Sequence, residues 1–363
     1  MAHQLAIVGP LPPPYGGVGV HLERLLPYLD RAEVDYFLYN TAGPTEIPGR
    51  VHSVSRNNRL WFLKYLVSGK EPVIYFLNSQ WEIWASTWFL SRMRRKKVVI
   101  ALQGEGLRLA WNAHGRSVRR WILRGFEAAA RVIAVNTHIR DFLEEIGGLG
   151  HKTVVVPGFI PPMWRDPDES LIADHVRTFC RQHGPVILAT GAPVIRRETS
   201  DLYGMDITIE LVDRLRKTYP RIGVLWSLLN IVGSVPEYAD KMRDEITRRG
   251  LDAHWCFSPP QKVFYPVYKM VDLFVRPTST DGDALSVREA LYFGVPTVAS
   301  DAAPRPEGVR LFRSRDVDDF ERVVRQTLEN LDAERERLKH RPNDTAVDKE
   351  VALLQEVIAE AGG

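Results

Sequence analysis

Cysteine is almost missing from this chain: only Cys180 and Cys256 occur among its 363 residues. They form no CxxC pair and sit in no metal-spaced cluster with histidines. A disulfide framework and a zinc site are therefore not expected, and a reducing cytoplasm fits. Nor is there a run of the roughly 20 apolar residues that a membrane span needs, so the expectation is a soluble or peripheral protein. The stretch Met1 to Val8 lacks the basic segment, long apolar run and small-residue cleavage site of a secretory leader, and export is not expected. An excess of charge of one sign is also lacking, with 48 Lys and Arg against 45 Asp and Glu. The net value of +3 is too small to argue for a nucleic-acid partner.

The apolar residues, 45% of the chain, and the charged ones, 26%, are ordinary for a globular protein. The length exceeds what one hydrophobic core usually serves, which predicts two domains. Short β-type runs, Leu5 to Val8, Val34 to Tyr39, Val73 to Asn78, Val98 to Leu102 and Val132 to Val135, alternate with helical patterns such as His21 to Leu29, Val118 to Ala130 and His138 to Glu145. Alternation of this kind predicts a parallel sheet covered by helices. A proline-rich segment, Val154 to Asp168, follows and reads as a final strand running into the connection between the domains. The pattern then restarts with five further strand-like runs: Val186 to Thr190, Gly223 to Trp226, Asp252 to Phe257, Leu273 to Arg276 and Thr297 to Ser300. Helices are expected at Asp206 to Tyr219, Tyr238 to Arg249, Gln261 to Met270, Ser286 to Phe293, Val317 to Leu331 and Thr345 to Glu360. The charged stretch Asp332 to Asp344 reads as mobile. These runs give a first domain over 1–160, a second over 161–344, and a final helix, 345–363, that returns to the first.

Positive charge gathers in the first half. Arg92, Arg94, Arg95, Lys96 and Lys97 follow Trp81, Trp84, Trp88 and Phe89, while Arg108, Arg116, Arg119, Arg120 and Arg124 surround Trp111 and Trp121. Aromatics beside bases suit peripheral contact with a membrane. A solvated basic face with its tryptophans in the core is the other reading of the same pattern.

Two motifs carry chemistry. Gly16-Gly17-Val18-Gly19 with His21 lies between the first strand and the first helix, where glycines let a backbone approach a ligand and helix amides attract negative groups. The spacing is not the dinucleotide fingerprint GxGxxG, so nicotinamide binding is disfavoured. The second motif, Asp281-Gly-Asp283-Ala-Leu285-Ser286-Val287-Arg-Glu289, follows an apolar strand and opens a helix. Backbone amides around Leu285, Ser286 and Val287 would point at phosphate, Glu289 would accept from ribose hydroxyls, and Asp281 would face a transferred sugar.

Acidic-x7-Glu followed by Ala-Leu-x-x-Gly-Val-Pro-Thr-Val-Ala-Ser-Asp301 resembles the donor signature of glycosyltransferase family 4, the glycosyl transferases group 1. The Gly-Gly-Val loop and the Val-Val-Pro-Gly-Phe-Ile-Pro-Pro connection extend the similarity over most of the chain. The resemblance implies an α/β chain of GT-B fold, two Rossmann-like parallel-sheet domains facing each other across a cleft, with acceptor bound by the first and nucleotide-sugar donor by the second. It also implies retention at the anomeric carbon without a metal or other cofactor. Two departures stand out. Asp281 replaces the usual glutamate, and Tyr203 occupies the place of a lysine that contacts donor phosphate. The family's loop arginine corresponds to Arg196 or Arg197, between which the sequence does not decide. On the acceptor side, Gln103 and Glu105 follow the strand Val98 to Leu102, with His21 as a further candidate. Each of these has a bland alternative, a capping role for Glu105 and a satisfied helix histidine for His21.

The resulting expectation is a retaining hexosyltransferase in the cytoplasm. It would take a UDP- or GDP-sugar and a glycan or lipid-linked acceptor, in cell-envelope or exopolysaccharide synthesis. Competing readings are a nucleotide-sugar 2-epimerase or sugar phosphorylase of the same fold, and a degenerate scaffold that binds a partner.

Overall fold

The computed structural model describes residues 3–13, 17–43, 45, 47–54, 59–77, 80–104, 106–162, 171–192, 195–196, 200–228, 235–258, 265–281, 284–341 and 346–362; side chains at 59–61, 63, 195, 196 and 200 are outside this description. The chain divides into two compact units, Met1–Met163 with Asp344–Gly363, and Trp164–Asn343.

In the first unit seven strands, β1 (Leu5–Gly9), β2 (Tyr36–Asn40), β3 (Val51–Ser53), β4 (Val73–Phe76), β5 (Lys97–Leu102), β6 (Arg131–Ala134) and β7 (Thr153–Val155), pair in the order β3-β2-β1-β4-β5-β6-β7. Every pairing is parallel. Strands β1 and β4 are buried along their whole length, which is why they read as unbroken apolar runs and not as alternation. The helices are α1 (Gly17–Arg31), α2 (Arg59–Ser68), α3 (Trp81–Arg92), α4 (Gly106–Ala113), α5 (Arg116–Ala128) and α6 (Thr137–Gly147). Helix α6 shows local control of helix ends: the Asn136 side chain accepts from the Ile139 amide, and Gly148 closes the helix at φ 63°.

The second unit begins with α7 (Asp174–Gln182) and builds its sheet from β8 (Val186–Gly191), β11 (Gly223–Leu228), β12 (Trp255–Ser258), β13 (Leu273–Arg276), β14 (Thr297–Ser300) and β15 (Arg310–Phe312), in the order β12-β11-β8-β13-β14-β15. These pairings too are all parallel. A two-stranded ribbon, β9 (Ile195–Arg196) with β10 (Ser200–Asp201), follows β8. The helices are α8 (Met205–Leu215), α9 (Pro236–Arg248), α10 (Leu285–Tyr292), α11 (Val317–Glu329) and α12 (Leu331–Lys339). The last helix, α13 (Ala346–Gly362), places Val347, Val351, Leu353, Leu354 and Val357 in the core of the first unit.

Three expectations are corrected. The sheets carry β3 and β15 in addition to the expected strands. Residues 265–270 form a 3-10 turn in place of the end of a helix, and 259–264 lie outside the described residues. The stretch expected to be mobile is ordered through Lys339 as α12, because Glu334 accepts from Arg310 and Arg337.

The strand order reverses between β8 and β13, since the chain runs outward to β11 and β12 and then returns to the other side of β8. In open parallel sheets the loops leaving the carboxyl ends of such neighbouring strands form the ligand crevice. Here they are the segments after Gly191 and after Arg276.

Candidate functional site

Strand β13 ends at Arg276, and the chain passes through Pro277–Ala284 into α10. Ala284 is extended (φ −70°, ψ 103°) and starts the helix. Its carbonyl accepts from the Val287 amide at 3.0 Å. That bond corrects one expectation: the Val287 N–H is already used inside the turn, and its side chain is fully buried. Leu285 and Ser286 remain as the first-turn amides, which have no partner within a helix. The Ser286 hydroxyl accepts from Thr190 Oγ1 at 3.3 Å, tying the first turn of α10 to the end of β8. Glu289, one turn further on, accepts from the Tyr268 hydroxyl at 3.3 Å through Oε2.

Asp281 is held more firmly than its sequence context suggests. Arg276 donates to it from Nε at 2.9 Å and from Nη2 at 3.3 Å, Arg305 donates from Nη1 at 2.8 Å, and Thr278 Oγ1 lies at 3.3 Å. The three charged side chains are 9%, 11% and 2% exposed, in the order Arg276, Asp281, Arg305. Burial alone would push the Asp281 pKa up; the charges and hydrogen bonds of the two arginines outweigh it and hold the carboxyl at about 2. Arg276 also bonds the Thr190 carbonyl and hydroxyl at 3.0 and 3.2 Å. Arg305 reaches the Ser300 carbonyl at 3.1 Å and Thr278 Oγ1 at 3.0 Å. The two guanidiniums, joined through Asp281, therefore link β8, β13 and β14.

The loop after β8 closes on the same place. The Tyr203 ring lies under the Arg276 guanidinium, 5.0 Å from its centroid. Gly204 takes φ +74°, and a Cβ there would stand 2.2 Å from the Pro277 carbonyl oxygen. Asp201 caps α8 by accepting from the amides of Tyr203 and Met205 at 2.8 and 2.9 Å. Arg196 lies on β9 with its side chain undescribed, while Arg197, Asp283, Gly16 and Glu105 lie outside the described residues. Of the residues expected at the donor, the structure thus brings Tyr203, Asp281, Leu285, Ser286 and Glu289 to one end of the second sheet. Sequence reasoning missed Arg276 and Arg305. The signals were present, an arginine ending an apolar strand and a Pro-Arg-Pro after β14, but neither has a diagnostic spacing.

In the first unit Gly17 opens α1, exposed, and Gln103 lies half-buried just beyond β5. His21 departs from its expected setting. It is 1% exposed, with Nδ1 on the Gly158 carbonyl at 2.7 Å and Nε2 on Glu350 Oε1 at 3.0 Å. With both ring nitrogens engaged inside the unit, it is a buried pin and not an acceptor-facing or helix-surface group.

The basic and aromatic stretch divides. Trp84 is fully buried and Lys96 is buried on the Glu71 carbonyl. Trp88 and Trp121, by contrast, are 36% and 43% exposed, meet edge to face with centroids 6.0 Å apart, and have Arg124 over the Trp121 ring at 5.1 Å. Arg92, Arg94, Arg95, Arg116 and Arg120 are exposed on the same helices or just beyond them. No helix among the described residues is long and apolar enough to cross a membrane.

Residues 185–330 match the family Glycosyl transferases group 1. No curated protein matches the sequence. Among solved structures, the chain is similar to HepE of Anabaena in complex with UDP, at 15% identity and TM-score 0.71 over 97% of this chain and 99% of that one. A glycosyltransferase of Rickettsia africae matches at 11% identity and TM-score 0.71 over 99% of each chain. Sucrose-phosphate synthase of Thermosynechococcus elongatus matches at 14% and 0.68, over 98% and 100%. These likenesses, together with the two parallel sheets, establish the GT-B fold.

Proposed function

We propose that this chain is a retaining glycosyltransferase that works without a metal, with the donor nucleotide sugar taken by the second unit and the acceptor by the first. The observation that carries the proposal is the arrangement at the reversal of the second sheet, inside the segment that matches the glycosyl transferases group 1 family. There an ionised Asp281, the first turn of α10 and Glu289 lie on consecutive chain. First-turn amides attract a diphosphate. Carboxylates accept from hydroxyls, Glu289 from ribose and Asp281 from the donor sugar. UDP is favoured as the nucleotide, because the Anabaena protein of similar fold was solved with it.

In the reaction, an acceptor hydroxyl oxygen attacks C1 of the donor sugar on the face from which the diphosphate departs. The C1–O bond to phosphate breaks, its electron pair leaves with the diphosphate, and the hydroxyl proton passes to the departing phosphate oxygen. Negative charge grows on that oxygen, and prearranged donors facing it lower the barrier. Release of UDP from a UDP-sugar, undiminished by a chelator and giving a product whose anomeric coupling matches the donor's, would support this reading. Glu289→Ala is expected to remain folded and to release no UDP above background; normal turnover in that variant removes the donor assignment. Conversion of the sugar in the absence of acceptor would point instead to an epimerase.

The acceptor in this proposal is a glycan or lipid-linked sugar met at the cytoplasmic face of a membrane, as in envelope or exopolysaccharide assembly. Support comes from the exposed Trp88 and Trp121 among arginines, since interfacial tryptophan and anionic headgroups suit that pairing. Sedimentation with vesicles containing anionic lipid tests it. Trp88→Ala with Trp121→Ala should leave the protein in the supernatant, and equal binding by this variant and the wild type rejects the contact.

A further inference from the structure

Among the described residues, the buried cluster around Asp281 has an unbalanced charge. Arg276 and Arg305 are bonded to one carboxylate, and among the described residues Asp281 is the only carboxylate that either guanidinium touches. Among the described residues, two guanidinium charges against one carboxylate leave one positive charge in excess, in side chains 9%, 11% and 2% exposed. Burying uncompensated charge is costly, and even balanced buried pairs are weak stabilisers compared with apolar packing. A cluster built only to hold the fold would balance its charges. An excess of one sign suits a site completed by an anion.

Its location agrees. The Arg276 Nη1 bonds Thr190 Oγ1 at 3.2 Å, and that hydroxyl bonds Ser286 Oγ in the first turn of α10 at 3.3 Å. The guanidinium is thus one hydroxyl away from the helix end where the proposed diphosphate binds. The neighbouring aromatic, Tyr203, lies against the guanidinium and brings no charge of its own.

We propose that Arg276 and Arg305 are positioning residues of the transfer reaction, fixing Asp281 as an ionised acceptor for donor-sugar hydroxyls and supplying at the β8–β13 reversal the positive charge that faces the departing diphosphate. The inference rests on the donor assignment above and deepens it. The arginines act through the field they set up and through the carboxylate they hold; their own N–H groups are largely spent on Thr190, Thr278, Ser300 and Asp281.

The test compares a nucleoside diphosphate with its nucleoside. UDP and uridine are titrated calorimetrically into the full chain, alongside GDP and guanosine, and kcat and KM for the donor are followed in parallel. Arg305→Gln and Arg276→Gln should weaken UDP about tenfold or more, as expected for loss of one unit charge close to a diphosphate, and leave uridine unchanged; kcat should fall with it. Arg305→Lys should recover part of the loss, and Tyr203→Lys placed in the Arg276→Gln background should recover part of it from the other side. Asp281→Asn has the opposite sign, holding or tightening UDP while lowering kcat, because it doubles the excess charge. It also keeps the question decidable if a glutamine variant does not fold. Equal weakening of UDP and uridine, or an unchanged UDP affinity in folded variants, overturns the inference while leaving the donor site standing. A wild-type chain that binds no nucleoside diphosphate overturns both.

Discussion

His21 and Asp281 are ionisable groups whose surroundings decide their charge, and they make the protein respond to pH at opposite ends of the scale. Burial lowers the His21 pKa, but the Glu350 carboxylate, by charge and hydrogen bond, more than offsets this, so the value is raised above 6.5. A raised histidine contributes its full stability below the unfolded value of 6.5, and that contribution is lost as pH climbs through the higher folded value. The melting temperature of the wild type should therefore fall over that alkaline window. Glu350→Gln should abolish the slope and cost about 3–5 kcal/mol in denaturant unfolding, because it removes one partner of a buried pair that also accepts from the Tyr75 hydroxyl at 2.5 Å. Asp281 has the depressed case: its contribution is present above 3.8 and lost as pH falls toward about 2. Acid unfolding followed by circular dichroism should be shallower between those values in Asp281→Asn. The sequence made Asp281, Ser286 and Glu289 legible because they share one short motif. It hid Arg305, which meets Asp281 only after β14 has been laid beside β13, and it hid Glu350, which lies 329 positions from His21.

The central strands and the long amphipathic helices were readable because burial on both faces, or on one stripe, imposes an apolar period on the residues. Strand β15 was not, since Arg310 and Leu311 are exposed and only Phe312 is buried. Helix α12 reads as a mobile stretch because only Leu331 and Leu338 tie it to the apolar core, while the ion pairs of Glu334 with Arg310 and Arg337 leave no hydrophobic pattern. Close approaches between elements were equally silent. Helices α3 and α5 touch backbone to backbone at Gly125, where a Cβ would stand 1.9 Å from the Trp84 carbonyl oxygen, and α8 meets the loop after β13 at Gly204. Alanine at either position should destabilise by at least about 1–3 kcal/mol from overpacking, with added strain at Gly204 from its positive φ. The two variants should differ in ligand binding. Measured calorimetrically, Gly204→Ala should lose UDP affinity because it displaces the loop that carries Asp281, while Gly125→Ala, in the other unit, should keep it. Equal affinities would separate the α8 contact from the donor site.

At the scale of the whole molecule, the chain leaves the first unit near residue 163 and returns to it near 344, so the first unit is completed only by the last helix. Val347, Val351, Leu353, Leu354 and Val357 of α13 are all nearly or fully buried in its core. Burying an aliphatic side chain contributes about 1.5–3 kcal/mol, so these five together rival the roughly 5–15 kcal/mol that stabilises an entire domain. The helix also carries Glu350, without which His21 and Tyr75 are left as buried polar groups lacking their shared partner. A chain ending at Asn343 should therefore lose the cooperative structure of the first unit. The second unit, Trp164–Asn343, contains none of these contacts and has its own core around Val224, Leu273 and Phe320. Calorimetric unfolding of the truncated protein should show one surviving transition, and that transition should still move upward with UDP, since a ligand bound only to the folded state raises its midpoint. Loss of both transitions would mean that the donor unit depends on the first for its stability.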